Sequence, residues 1–470
     1  MKKSKVMLIW PWRDVKGQAL ELFPIGLGYL ISNINRDRFE VRILDCVLDD
    51  LAPGSEAFAI QLMQFKPDIV GISWWSNTTQ VVEDTIRAIR NVLPDAILMA
   101  GGPHMTGCGE SVVAGRCVDF AFGGEAELGC ARLLEAIQDA DGFPDIDALL
   151  GIPGLIYRNG DDVRRNATDF VENLDLVRGI DYESLRLRDY HARGYYYGAK
   201  LQKKTELTAP IMSARGCPFH CTFCMAPQID GRGIRRHSLE HVIDRIKTLY
   251  HDFGVRYVAI IDDNFTINKK WALKVCNAIA DLNLPDLAMG TPNGIPLAGM
   301  DIELARAMKR AGWREVMIAP ESGSKKTLAA MQKPVNLDLI PEFIRMFHEV
   351  GLLVTAFFII GYPDETLEDI ALTKKFIFEN EFDFVGISFY QPLPGTDIYN
   401  RLVAENVIPK GFIPGQYQEV TFRRPNIDSN VLCELYNDMW NEYREFKKLP
   451  TKNRSIARIR QEMVRSAFAG

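Results

Sequence analysis

Ser213-Ala214-Arg215-Gly216-Cys217-Pro218-Phe219-His220-Cys221-Thr222-Phe223-Cys224 is the stretch on which the reading of this chain turns. Three soft thiolates at this spacing, in a loop directly after an expected strand at Pro210–Ala214, suit iron or zinc. Structural zinc takes four ligands, often as two separated pairs, and no second Cys pair follows. His220 is a further donor by type, but it is held between its neighbours in a tight loop. An iron-sulfur cube held by three cysteines leaves one iron open to another ligand.

Outward from this loop the pattern repeats. Strands are expected at Val255–Ile261, Leu287–Gly290, Glu315–Ala319, Thr355–Ile360 and Phe384–Tyr390. Helices fit at about Leu239–Phe253, Lys270–Leu282, Ile302–Ala311, Leu337–Val350 and Leu367–Phe378. Six β/α units over residues 207–400 imply a partial barrel, with its site at the carboxyl ends of the strands. Residues 1–140 alternate in the same way, with strands at Val6–Trp10, Val41–Asp45, Asp68–Ser73, Ala96–Ala100 and Asp119–Phe122. Helices there fit at about Pro24–Asn35, Ala57–Phe65, Gln80–Val92 and Glu127–Gln138. This is an α/β, doubly wound, Rossmann-like pattern, whose ligands also meet the strand ends. Residues 141–206 read as an irregular connector and 401–470 as a mostly helical attachment.

The 470 residues are 47% hydrophobic and 25% charged, ordinary for a folded protein with sizeable cores. A formal charge of −6 gives no general pull toward nucleic acid. The run Val6–Trp10 is short for a signal-peptide core, and nothing approaches the ~20 apolar residues of a membrane span. A soluble, cytoplasmic protein with reduced cysteines is expected. Cys46, Cys108, Cys117, Cys130, Cys276 and Cys433 read as small buried or half-buried thiols.

Cys217, Cys221 and Cys224 match the CxxxCxxC motif of the radical S-adenosylmethionine superfamily, and the chain resembles it beyond this loop. The resemblance implies a 4Fe-4S cluster whose open iron chelates S-adenosylmethionine, with reductive cleavage making a 5′-deoxyadenosyl radical. Phe223 matches the position packed near adenine. Asp262, Asp263 and Asn264 follow the second barrel strand, where the family meets the methionine amino group. Glu321 and Ser322 follow the fourth and match the segment for the ribose hydroxyls and methionine carboxylate. Gly361, Tyr362 and Pro363 follow the fifth, where backbone lies against adenine.

The post-strand segments Ser73-Trp74-Trp75-Ser76-Asn77-Thr78, Gly101-Gly102-Pro103-His104 and Gly123-Gly124-Glu125 resemble the cobalamin-binding domain that precedes the barrel in one large subfamily. Small residues there would let the nucleotide tail of cobalamin pass, Gly101 and Gly102 above all. The Asp-x-His-x-x-Gly motif that supplies a cobalt ligand in many cobalamin proteins is absent from the Trp10–Gly17 stretch. No protein histidine is therefore expected on cobalt, with Trp74 and Trp75 candidates for the lower corrin face and burial in the core the competing reading for each. His104, on the loop after the fourth strand, is expected to bond a cobalamin amide or to pack.

The resemblance implies an enzyme that methylates an unactivated carbon of a small-molecule or lipid substrate through methylcobalamin. A cobalamin-dependent radical cyclase or rearrangement enzyme is the alternative, and a non-catalytic sensor the third reading. A reductant such as flavodoxin or ferredoxin is the expected partner. Gln391–Thr396 should help close the barrel mouth. Tyr195–Tyr197 reads as a packed edge or a substrate cover. Arg444–Arg465, with eight Lys or Arg against two Glu, reads as a solvated terminal helix or a peripheral contact with an anionic membrane surface.

Overall fold

Val6–Ile9, Ile69–Ile72 and Ile97–Ala100 are buried along their whole length, as the central strands of a sheet covered on both faces must be. The computed structural model describes residues 3–14, 22–195 and 205–448. It places these runs in a seven-stranded sheet ordered β2-β1-β3-β4-β5-β6-β7. β1 (Ser4–Trp10), β2 (Phe39–Asp45), β3 (Ile69–Ser73), β4 (Ile97–Gly101) and β5 (Phe120–Phe122) are parallel. α1 (Ile25–Asn33), α2 (Glu56–Phe65), α3 (Thr79–Val92) and α5 (Glu127–Asp139) fill the expected intervals. The strand order reverses between β1 and β3, which opens a crevice beyond their carboxyl ends.

Two segments differ from expectation. Residues 101–106 are not simply a loop, because α4 (Pro103–Ala114) starts there with Pro at its first position. Its sequence carries two glycines and little apolar stripe, so periodicity did not reveal it. The stretch read as irregular, 141–206, holds α6 (Ile146–Leu149), the hairpin β6 (Leu155–Asn159) and β7 (Asp162–Arg165), and α7 (Leu187–Ala192). β6 runs antiparallel to β5, so the sheet continues into that stretch. Gly160-Asp161, the two-residue turn closed by the Asn159–Asp162 pair, with Gly160 at φ +65°, is the hairpin signal that was there to be read. Tyr195 packs against Phe23 and Tyr190, whereas Tyr196 and Tyr197 lie outside the described residues.

The barrel has six strands in two parallel sheets where six were expected, but the first runs Thr208–Ile211 and not Pro210–Ala214, because Ala214 pairs with Arg236 in a separate ribbon. β8 (Thr208–Ile211), β11 (Tyr257–Ile260) and β12 (Ala288–Gly290) form one; β13 (Glu315–Glu321), β14 (Leu353–Ile360) and β15 (Phe384–Phe389) form the other. A bridge between Met289 and Trp313 joins them. A short ribbon, β9 (Ala214–Arg215) with β10 (Arg235–Arg236), and α8 (Ala226–Ile229) frame the cysteine loop. α9 (Leu239–Thr248), α10 (Lys269–Asp281), α11 (Ile302–Arg310), α13 (Ile340–Glu349) and α14 (Leu367–Glu379) match expectation; the seven-residue α12 (Lys325–Met331) is additional. Beyond the barrel, α15 (Asp397–Ala404) and α16 (Ser429–Lys448) bracket an irregular stretch, so the attachment is less helical than expected. Arg444–Lys448 belong to α16, and the rest of the basic segment lies outside the described residues. Among the described residues no helix is long and apolar enough to cross a membrane.

Candidate active site

The cysteine loop leaves β8 and is pinned at once. The Asp262 carboxylate accepts from the Ser213 backbone N–H at 2.7 Å and from its hydroxyl. Gly216 has φ +102°, and any side chain there would strike the Gly233 carbonyl. So shaped, the loop turns Cys217, Cys221 and Cys224 into one cavity of about 490 Å³. Phe223, Asp263, Asn264, Asn293, Glu321 and Lys333 line the same cavity. Burial pushes the Cys224 thiol up to about 12, and the neighbouring thiols Cys217 and Cys221 push the same way. Mutually opposed thiols in one cavity are a donor set that a cation would deprotonate. Lys333 donates to Glu321 at 2.8 Å, and Glu321 holds a left-handed φ of +65°, a strained conformation for a residue with a Cβ.

Five expected residues do not reach this cavity. Asp262 is committed to Ser213. The Ser322 hydroxyl pairs with Thr373 at 3.0 Å. The Gly361 carbonyl accepts from Arg424, and the Gly361 N–H donates to Glu365 at 2.6 Å. The buried Tyr362 hydroxyl meets Thr222 at 2.8 Å, and Pro363 is buried beside it.

A second cavity of about 440 Å³ lies between the sheet domain's strand ends and the barrel. Ser73, Trp75, Gly101, Gly102, Pro103, Gly124 and Glu125 line it from one side; Met212, Arg215, Asp230 and Ile261 line it from the other. Asp263 and Asn293 line both cavities. Trp74, Ser76, Asn77, Thr78, His104 and Gly123 stay out of it. Trp74, 1% exposed, stacks on His104 at 5.2 Å and donates to Thr79 at 3.0 Å. His104 packs there against Ser76, its ring held neutral by burial at about 4. Asn77 instead donates to Gln416. Gly123 has no room for a side chain beside Arg165.

Buried charge locks the two walls together. Arg215 of the cysteine loop meets Glu127 at 2.6 Å and Glu125 at 3.3 Å, and lies over the Tyr29 ring at 4.9 Å. Arg235 adds a 2.5 Å contact to Glu125. Burial works against ionising Glu127, yet Arg215 holds its carboxyl below the ordinary value. Such a pair fixes an arrangement more than it stabilises, since desolvation offsets most of the attraction. The Gln391–Thr396 segment reaches the same seam: Gly395 accepts from Gln228 at 2.8 Å, and Pro394 packs on Gly107 of α4. Asp230 was not anticipated; burial raises its carboxyl to about 7, and it makes no side-chain hydrogen bond among the described residues. Lys333 also escaped notice, because it follows a helix and not a strand. Asn293 was within reach, since Thr291-Pro292-Asn293-Gly294 directly follows β12.

A model of the Radical SAM superfamily matches residues 211–377, and a model of the B12 binding domain matches residues 18–134. The chain joins the two domains of a B12-binding radical S-adenosylmethionine enzyme. An uncharacterized methyltransferase of Pyrococcus horikoshii is 29% identical to the enzyme, covering 87% of this chain and 85% of its own. The anaerobic magnesium-protoporphyrin IX monomethyl ester cyclase of Cereibacter sphaeroides is 25% identical, over 90% of this chain and 66% of its own. The enzyme's fold is that of the radical S-adenosylmethionine methyltransferase TsrM of Kitasatospora setae, solved with cobalamin and a 4Fe-4S cluster. The TM-score is 0.70 at 18% identity, over 86% of this chain and 78% of that one. The residues present suit those groups. Three thiols share one cavity, and a Cβ at Gly101 would stand in open space of the other, with nothing within 4 Å.

Proposed function

We propose that this enzyme methylates an unactivated carbon of a small molecule or lipid, using cobalamin and a 4Fe-4S cluster with S-adenosylmethionine. The carrying observation is the wall shared by the two cavities, because Asp263 and Asn293 border both. When bound, these groups supply a 5′-deoxyadenosyl radical on one side of that wall and a methyl group on the other. Cys217, Cys221 and Cys224 hold the cluster. Asp263 and Asn264 receive the methionine ammonium: both line the cavity, Asp263 makes no side-chain hydrogen bond among the described residues, and the Asn264 amide N–H donates to the Gly216 carbonyl at 3.5 Å, which leaves its oxygen to accept. Glu321 and Lys333 together present an acceptor and a cation to ribose and carboxylate. Ser73, Gly101, Gly102 and Gly124 leave room for the corrin tail, and the Arg215 clamp keeps the seam closed to water.

The methyltransferase relative favours methyl transfer, and the cyclase relative keeps ring formation as the second reading. The test is turnover of a candidate substrate with methyl-labelled S-adenosylmethionine and a flavodoxin- or ferredoxin-type reductant under anaerobic conditions. Methyl transfer yields 5′-deoxyadenosine and S-adenosylhomocysteine together with labelled product. Conversion without S-adenosylhomocysteine supports the cyclase reading, and conversion without 5′-deoxyadenosine overturns both.

A further inference from the structure

Behind the cysteine loop, away from both cavities, three further ligand-type side chains converge. Asp175 lies in the turn Leu174–Leu176 of the stretch that follows the sheet domain. His237 follows β10, and His241 sits four residues on, in the first turn of α9. The two imidazoles stack at 4.1 Å with 10° between planes. Their Nδ1 atoms both aim at the same carboxylate oxygen of Asp175, at 2.9 Å from His237 and 3.6 Å from His241. All three ligand atoms lie within 4.8 Å of one another.

We propose that Asp175, His237 and His241 bind a divalent first-row transition-metal ion, with zinc the ordinary partner of such a set, and that the ion fastens the sheet-domain side of the chain to the back of the cluster loop. Zinc–ligand bonds of ~2.0–2.1 Å in a tetrahedron put neighbouring ligand atoms ~3.4 Å apart. The 3.6 Å separation already has this size, the 2.9 Å contact needs to open by about half an ångström, and one of the two stacked rings must turn so that both in-plane lone pairs meet on the ion. A simple helix cap accounts for part of the cluster: Asp175 accepts from the Ser238 N–H at 3.0 Å and pairs with His237. It leaves His241 aimed at an anionic oxygen beyond hydrogen-bond reach, which an intervening cation explains. A neutral ring can carry its proton on Nε2 and offer Nδ1 to a metal. With water completing the shell, His₂Asp is an ordinary zinc donor set.

The mechanical consequence follows from the ribbon. The His237 N–H donates to the Ser213 carbonyl at 3.0 Å, and Arg235 and Arg236 pair with Arg215 and Ala214. An ion on His237 therefore stiffens the strand that enters the cysteine motif and carries the Arg215 clamp.

The inference is independent of the reaction proposed above. Full-length protein with its iron-sulfur cluster reconstituted is equilibrated anaerobically with zinc sulfate, desalted and analysed for iron and zinc. The expected result is about one retained zinc per chain, with X-ray absorption showing nitrogen and oxygen ligands at ~2.0–2.1 Å and no sulfur. His241→Ala, at a half-buried position, and Asp175→Asn should lose the zinc while keeping iron content and circular dichroism. No retained zinc in the wild type, sulfur ligation, or zinc retained by both variants would overturn the proposal.

Discussion

The two walls of the site recognise their ligands by opposite means. Among apolar neighbours such as Ile295, Leu297 and Phe343, the barrel wall presents thiols, carboxylates and amides, with Cys217, Cys221, Cys224, Asp263, Asn264 and Glu321 all lining one cavity. The sheet-domain wall is largely apolar side chain and bare backbone, with Leu8, Trp10, Gly71, Ala100, Gly101 and Gly102 among its members. One wall works by what its side chains donate and the other by the volume its side chains leave free. The first kind of site fails when a functional group is removed, and the second when a group is added.

The largest effect expected from this contrast is at the barrel wall. Cys221→Ala should abolish reductive cleavage of S-adenosylmethionine, because a cube short of one of three thiolates is lost or misassembled. Iron content and 5′-deoxyadenosine formation check it, and wild-type cleavage by a well-folded variant would remove the assignment. The sheet-domain wall should respond to addition. Gly101→Leu should weaken cobalamin at least about tenfold, some 1.4 kcal/mol or more, read by spectrophotometric titration. Its melting temperature should hold, because a Cβ there meets nothing within 4 Å. Gly102→Ala makes the control: φ is +102°, and the new Cβ would lie 2.9 Å from the Trp74 carbonyl. That variant should lose on the order of 1–3 kcal/mol of stability. Equal loss of cobalamin in a stable Gly102→Ala and none in Gly101→Leu would break the comparison.

A smaller effect concerns the turn after β14, where the Gly361 backbone is paired within the protein, to Glu365 and Arg424. Glu365 holds that turn by accepting from the Gly361 N–H at 2.6 Å and the Tyr362 N–H at 3.3 Å. Burial raises its carboxyl to about 8 although these two bonds favour the anion. Its folded value thus lies above the unfolded one of ~4.3, so the folded state holds the extra proton between them. Stability from this group is complete below about pH 4 and is lost as pH rises through about 8. Urea midpoints should fall from pH 5 to pH 8 by more than about 1 kcal/mol equivalent, and Glu365→Gln should flatten that slope. An unchanged slope in the variant would place the titration elsewhere.

The same contrast explains what was legible in the sequence. Strand patterning located five barrel strands closely and the first two to three residues late, and it found the five parallel strands of the sheet, because the central ones are apolar throughout and the edge strand β2 alternates. The cysteine spacing singled out three thiols that the fold brings to one cavity. Asp262 and Asp263 are adjacent and equally acidic, yet alternation along the chain turns one to Ser213 and the other to the cavity. Composition carries no record of that choice. α4 stayed hidden because its glycines, Gly107 against Pro394 and Gly109 against Ile156, serve close packing and dilute the apolar stripe. The Arg215–Glu127 clamp joins residues 88 positions apart, a pairing that depends on how the two domains dock.

The smallest effect belongs to another adjacent pair with opposite fates. Trp74 is 1% exposed and locked on His104, whereas Trp75 is 37% exposed and lines the sheet-domain cavity. Among the described residues, no histidine lines that cavity. An indole N–H is a donor with no basic lone pair, so Trp75 can pack against a corrin face but cannot ligate cobalt. Removing it should therefore cost only lost contact: Trp75→Ala is expected to weaken cobalamin by a few-fold, about 1 kcal/mol, less than Gly101→Leu does. Trp74→Ala should instead lower stability, by roughly 3 kcal/mol, because it empties a filled core position. Electron paramagnetic resonance of cobalt(II) cobalamin in uniformly nitrogen-15-labelled protein separates ligation from packing, since the cofactor's own nitrogens remain nitrogen-14. The wild type should show no coupling to nitrogen-15, and Trp75→His should introduce it. Nitrogen-15 splitting in the wild type would mean that a protein nitrogen reaches cobalt, and the sheet-domain wall would then also work by donation.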